Sequence, residues 1–216
     1  MRNFLKYLTY RISQWALMLW FWIWFRYRTI GRRRVPRSGA LLVCSNHQSF
    51  LDPMLIGATC SRRLRYLARE TLFRSWFNYL IRWYDAIPVN RDGMSLSGIK
   101  ATLSALKRDQ AAVVMFPEGT RTDDGEVQPL KPGFITLARR GKAGLIPVAI
   151  DGAFDAWPRH RKWPRFGKRI CIVFGDPIPF AQVAKLSDDD LIAELQRRVN
   201  ACHAEARRKI HRGKDS

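Results

Sequence analysis

The chain has 216 residues, enough for one ordinary domain with a short appendage, since domains commonly run to roughly 100–200 residues. Apolar residues make up 47% and charged ones 26%, which excludes a disordered tail protein and a polytopic membrane protein alike. Lys and Arg total 38 against 18 Asp and Glu, a formal charge of +20, so the partner classes left open are anionic: nucleic acid, an acidic membrane surface or phosphorylated substrates.

The N-terminal segment comes first. Nine Lys or Arg and no acidic residue precede Asp52, and from Trp15 to Phe25 eleven apolar residues run in succession, four of them Trp. A cleaved signal peptide needs a small-residue site after such a run, but RYRTIGRRRVPR follows it. A spanning helix needs about 20 apolar residues, whereas eleven at about 1.5 Å rise reach only about 16 Å. Lys6 and Arg11 before the run and Arg26, Arg28 and Arg32 to Arg34 after it would both stay on the cytoplasmic side. An interfacial anchor over residues 1–35 fits this best, with Trp at headgroup depth and the basic flanks on anionic lipid at the cytoplasmic face. A full span and a helix packed on the domain are the alternatives.

Residues 36–216 read as one domain. Strand-length apolar runs fall at 40–45, 65–68, 86–90, 111–116, 145–150 and 169–174, and helical patterns at 53–60, 72–83, 95–107 and 134–140. A last helix follows Ser187, with Asp188 to Asp190 in its first turn, where the helix dipole favours acids. ALLVCS and AAVVMF are apolar at successive positions, as in a sheet covered on both faces. The pattern predicts an α/β fold with a mainly parallel, helix-covered sheet and an N-terminal membrane-associated helical segment. Cys44, Cys60, Cys171 and Cys202 form no C-x-x-C pair and read as small buried hydrophobes, so no metal site is expected.

In such sheets ligands gather beyond the carboxyl ends of strands. NHQSFLDP, residues 46–53, directly follows ALLVCS, and a turn can fold Asp52 back onto His47, fixing the tautomer and leaving one ring nitrogen to accept a proton. That is half of a Ser-His-Asp system. No G-x-S-x-G elbow supplies the nucleophile, so the hydroxyl to be activated belongs to the substrate. His160, His203 and His211 lie in strongly basic surroundings and read as solvated. FPEGTR, residues 116–121, follows AAVVM and can aim Glu118 and Arg121 into one crevice, with Arg suited to bidentate capture of phosphate. Alone, this could equally be a structural ion pair. IPVNR, residues 87–91, ends on Arg91, which taken alone reads as a surface charge.

Together these segments resemble the glycerolipid acyltransferases of the 1-acylglycerol-3-phosphate (lysophosphatidic acid) acyltransferase type. NHQSFLDP is similar to the first family signature, IPVNR to the second, FPEGTR with its TDDG and LKPG continuations to the third, and LIPVAI, residues 145–150, to the fourth. Four ordered signatures are strong where each alone would be weak. Residues 69–84 depart from the pattern in lacking the Gly-rich stretch that many members carry. The resemblance implies transfer of a fatty acyl group from acyl-CoA or acyl carrier protein to the hydroxyl of a lysophospholipid, with no acyl-enzyme and no cofactor beyond the thioester co-substrate. His47 would be the general base and Asp52 its orienting partner. Glu118, Gly119, Thr120 and Arg121, with Arg91 and Lys131, would hold the acceptor's phosphate-bearing head. Oxyanion donors would be backbone N–H groups near Gly119 or at the helix after Asp52. Acceptors other than lysophosphatidic acid, namely glycerol-3-phosphate, another lysophospholipid or an aminolipid, are the same-class alternative. The different-class alternative is a basic nucleic-acid-binding module, which needs aromatics on a basic face for stacking. Here the aromatic cluster lies in an uninterrupted apolar run, so no nucleic-acid partner is expected.

Overall fold

Apolar runs make the middle of a sheet and amphipathic segments cover it. The computed structural model describes residues 2–69, 86–89 and 96–212. In chain order these give α1 (Arg2–Trp24), β1 (Arg26–Ile30), a 3-10 turn at Arg32–Arg34, β2 (Leu41–Ser45), α2 (Asp52–Thr59), β3 (Leu64–Arg69) and β4 (Ile87–Val89). Then follow α3 (Leu96–Asp109), β5 (Ala112–Met115), α4 (Gly133–Gly141), β6 (Gly144–Asp151), α5 (Ala153–Ala156), β7 (Arg169–Phe174), α6 (Phe180–Val183) and α7 (Asp188–Arg212). The seven strands among the described residues form one sheet in the order β1-β7-β6-β2-β5-β3-β4. Only β6 and β7 pair antiparallel; every other neighbouring pair is parallel. The expected helix at 72–83 and the residues Ser95 and Arg91 lie outside the described residues.

Every residue of β2 and β5 is buried, because both faces of the sheet are covered. On one face Val43, Ile146, Ile150 and Ile172 pack with Leu55 and Ile56 of α2 and with Phe21 and Phe25. On the other, Leu42, Val113 and Leu145 pack with Leu106 of α3, Phe134 of α4 and Leu191, Leu195 and Val199 of α7. Strand β6 carries a Pro, which a central strand ordinarily rejects. The missing N–H of Pro147 falls between the Leu145–Ile178 bridge and the β6–β7 ladder, which starts at Val148.

The N-terminal segment differs from the expectation of one helical stretch over residues 1–35. Helix α1 ends at Trp24, and residues 26–30 form the edge strand β1, in parallel register with β7 from Arg26↔Arg169 to Ile30↔Val173. Gly31 ends this strand with φ +73°, and a Cβ there would collide with the Phe174 carbonyl. Helix α1 is tied to the domain by Gln14, whose amide donates to the carbonyls of Gly57 and Cys60 at 2.9 and 2.8 Å. Its other side leaves Leu5, Leu8, Ile12, Trp15, Leu19 and Trp22 exposed, Trp22 at 68%. These alternate three and four apart, so they line one stripe of the helix. No described helix is long and apolar enough to cross a membrane.

Candidate active site

The turn after β2 is organised by a single carboxylate oxygen. Asp52 opens α2 with Pro53 in the first turn, and its carboxylate points back over the turn. Its Oδ2 lies 2.8 Å from His47 Nδ1 and accepts the backbone N–H groups of Gln48 at 2.6 Å and Ser49 at 2.7 Å. The carboxylate is fully buried, whereas the His47 side chain is 19% exposed. With Nδ1 engaged by Asp52, Nε2 is the nitrogen left to take a proton. The imidazole is also stacked on Phe116, with centroids 4.0 Å apart and planes 17° apart, which fixes the ring plane.

Two further contacts anchor this turn to the sheet. Asn46 behaves like one more strand residue: its amide donates to Ile150 O at 2.9 Å and its Oδ1 accepts Ile150 N–H at 2.8 Å. The Ser49 hydroxyl donates to Trp157 O at 2.7 Å. Both side chains are buried, so losing either partner would strand a polar group away from water.

The turn after β5 meets the first one. Thr122 N–H donates to His47 O at 2.8 Å, and Glu118 accepts the N–H of His47 at 3.3 Å on one oxygen and of Gln128 at 3.3 Å on the other. Glu118 is only 2% exposed, so its observed partners are backbone groups of the two turns. Burial, with smaller contributions from the Asp52 and Asp124 charges, outweighs these hydrogen bonds and pushes its carboxyl up to about 8. Gly119 sits at φ +78° with the Lys131 side chain packed over it. Its N–H donates to Phe116 O at 3.0 Å, so that group closes the turn and is not a free oxyanion donor. Thr120 and Lys131 are exposed. The Arg121 guanidinium lies 3.6 Å from the centre of the Phe50 ring, which in turn packs on Trp157 at 5.2 Å. The structure therefore brings His47, Asp52, Glu118, Gly119, Thr120, Arg121 and Lys131 into one region.

Two side chains behind the turn were not anticipated. Gln48 reaches away from His47, donating to Gly125 O at 2.5 Å and accepting Phe154 N–H at 3.3 Å. Its amide nitrogen is also 3.2 Å from His203 Nε2. His203 is 5% exposed and pairs with Asp151 at 3.1 Å, which corrects the reading of it as a solvated residue. Burial would raise the Asp151 carboxyl, but the His203 hydrogen bond and the His203 and Arg207 charges hold it below the usual range. The sequence signal was available: position 203 sits beside the apolar stripe Leu195, Val199, Cys202 and Ala206 of α7, all buried. His160 and His211 are exposed. All four cysteines are buried and free, and burial pushes the thiols of Cys60 and Cys202 up to about 11.

Residues 26–151, more than half of the chain, match the family profile described as Acyltransferase. The 1-acyl-sn-glycerol-3-phosphate acyltransferase of Bacillus subtilis is 28% identical over 175 residues, covering 80% of this chain and 84% of that protein. The protein of the same name from Streptococcus pneumoniae is 27% identical over 152 residues, covering 69% of this chain but only 54% of that relative. In fold, the chain is similar over its full length to the crystal structure of the 1-acyl-sn-glycerophosphate (LPA) acyltransferase PlsC from Thermotoga maritima. The TM-score is 0.77 and the identity 21%, with 82% of that chain covered. The matched segment runs from the edge strand β1 to the last residue of β6, enclosing both the His47–Asp52 turn and the Glu118–Arg121 turn, and the chain belongs to the acyltransferase family.

Proposed function

We propose that this acyltransferase moves a fatty acyl group from the thioester of acyl-CoA or acyl carrier protein to the free hydroxyl of lysophosphatidic acid, giving phosphatidic acid. The observation that carries this reading is the 2.8 Å contact between His47 Nδ1 and Asp52, which makes Nε2 a general base for a substrate hydroxyl. Nε2 takes the hydroxyl proton while the oxygen attacks the thioester carbonyl. The tetrahedral intermediate then collapses, the C–S bond breaks, and the departing thiolate recovers the proton from the imidazolium. The ring is held in place on one side by Asp52 and on the other by the Phe116 ring. No group on the protein is acylated in this sequence.

Arg121 and Lys131, two cations around the Gly119 turn, supply charge for the acceptor's phosphate, and Gly119 and Thr120 form the exposed turn between them. Glu118 acts as the clamp that holds the two turns together. Arg91, outside the described residues, keeps the role its signature implies. The Gly119 N–H, engaged by Phe116 O, is not the donor for oxyanion stabilisation. The names of the Bacillus and Streptococcus relatives support lysophosphatidic acid over other acceptors.

The exposed stripe of α1 and the basic residues flanking it suit an anionic membrane surface at the cytoplasmic face, with the helix lying in the interface. Such a position lets the lysophospholipid enter and phosphatidic acid return without leaving the bilayer, while the thioester donor arrives from the aqueous side. The test is an acceptor panel in vesicles, with thiol release from acyl-CoA or acyl carrier protein as the readout. Lysophosphatidic acid should give the highest kcat/KM; faster transfer to glycerol-3-phosphate, to a lysophospholipid with a larger headgroup or to an aminolipid would reassign the acceptor.

A further inference from the structure

Beyond the candidate active site, the edge of the sheet carries a cavity that no step of acyl transfer uses. It measures about 200 Å³ and is walled by Arg26, Arg28, Arg169 and Lys209, with Cys171 and Ile210 between them. The register explains the convergence. Arg26 and Arg28 are two apart on β1 and so face the same side, and Arg26 lies directly opposite Arg169 on β7, as Arg28 lies opposite Cys171. Helix α7 packs on this side through Cys202 and Ala206, bringing Lys209 over the same ground.

Like charges placed opposite each other on neighbouring strands repel and weaken the pairing. Ion pairs ordinarily relieve such crowding, yet none of the four cations is paired with a carboxylate among the described residues. Of the acids nearby, Asp151 is already engaged by His203 and Arg207, and among the described residues neither Asp155 nor Glu205 is ion-paired with the four cations. An anion is the group that would turn this repulsion into attraction. The volume suits a headgroup-sized anion better than a whole cofactor, for which cavities of roughly 300–1,000 Å³ are usual.

The surroundings indicate where the anion comes from. An exposed aromatic pair precedes both walls: Trp24 stands two residues before Arg26 and Phe166 three before Arg169, and the backbones join where Gly167 N–H donates to Trp24 O at 2.8 Å. Trp24 packs against Phe166 with centroids 4.7 Å apart and planes tilted by 46°, and both rings are about half exposed, with Trp163 on the same loop at 72%. Amphipathic aromatic rings beside cations are the composition of a lipid interface. In the sheet order β1 stands three places from β2, about 14 Å at about 4.8 Å per strand, which separates the cavity from His47.

We infer that Arg26, Arg28, Arg169 and Lys209 form a binding site for the phosphate group of an anionic membrane phospholipid, separate from the acceptor site and seated beside aromatic residues that enter the interface. It rests on the reading that the basic flank of α1, Arg26 and Arg28 included, meets an anionic bilayer, and deepens it by naming the site, while sharing no residue with the acyl-transfer chemistry. Binding is therefore read with neither acyl donor nor acceptor present, so a failure here and a failure of acyl transfer are separate results.

The experiment is co-sedimentation of the full chain with phosphatidylcholine vesicles with and without phosphatidylglycerol, at fixed ionic strength. The variant R26Q/R28Q/K209Q is compared with R161Q/K162Q/R165Q, which removes equal charge from the neighbouring loop. The gain in affinity from phosphatidylglycerol should fall at least about tenfold further in the cavity variant than in the loop variant. K209Q alone, on a different element and exposed, should show part of the same loss and guards against a folding defect at the sheet edge. Equal losses in the two triple variants would reduce the cavity to generic surface charge and overturn the site. Binding of adenosine 3′,5′-bisphosphate by the parent chain that is lost in the cavity variant, with vesicle binding unchanged, would assign the cavity to a soluble phosphate and overturn the lipid assignment.

Discussion

Asp52 and His47 are held five residues apart in sequence and 2.8 Å apart in space by an oxygen that also caps two backbone N–H groups. One carboxylate thus builds the turn and orients the ring. The two roles separate in variants. His47→Ala removes the base and should lower kcat by roughly 10²–10⁴ with the melting temperature nearly unchanged. Asp52→Asn should lower kcat comparably by disturbing the tautomer, while Asp52→Ala should also destabilise the fold by about 1–3 kcal/mol, because Gln48 and Ser49 lose their acceptor. Steady-state kinetics paired with thermal melts distinguishes the three.

The Arg121 guanidinium carbon sits 3.6 Å from the centre of the Phe50 ring, so its charge is positioned by an aromatic face. Replacing it with Ala should raise the acceptor's KM by about tenfold or more and leave the KM for the thioester donor nearly unchanged, since a ground-state phosphate contact is lost. Arg121→Lys should recover only part of this, because an ammonium neither stacks nor forks.

Glu118 predicts an unusual pH dependence of stability. Its carboxyl rises from an ordinary 4.5 to about 8 in the folded chain, chiefly by burial. Between those values the folded state binds more protons than the unfolded state, so this group's contribution is full below about 4.5 and is lost as pH rises through about 8. Denaturant unfolding from pH 5 to 8 should show that decline, and Glu118→Gln should flatten it. An unchanged slope in Glu118→Gln would assign the decline to other groups.

Gln48 and His203 link the catalytic turn to α7. Gln48→Ala removes bonds to Gly125 and Phe154 and should cost about 1–3 kcal/mol of stability. His203→Ala removes the buried imidazole partner of Asp151 and should loosen the turn from behind. Both should lower kcat more than they raise either KM, a split that loss of stability alone does not produce.

The extent to which the sequence foretold these features follows from the range of the forces involved. Strands β2, β5, β6 and β7 were legible because burial on both faces demands continuous apolar runs. Strand β1 was not, because RYRTI is an edge strand whose arginines stay exposed, and next to a Trp-rich helix they read as membrane flank. Its period-2 alternation was the overlooked signal. The approach of Asp52 to His47 was legible because a five-residue turn closes locally. The meeting of His203 with Gln48 spans 155 residues and depends on how α7 lies across the sheet, which local pattern does not fix. Glu118 was visible as a carboxylate at a strand end, but its backbone partners emerge only when two loops from different strands are brought together.

The central proposal, that His47 deprotonates an acceptor hydroxyl without any acyl-enzyme, is tested most directly by thiol release from acyl-CoA or acyl carrier protein in the presence and absence of lysophosphatidic acid. The parent chain should release thiol only with acceptor, in a one-to-one ratio with phosphatidic acid formed, and His47→Ala should reduce that release at least about a hundredfold. A stoichiometric burst of thiol without acceptor, or full acceptor-dependent turnover in His47→Ala, would contradict it.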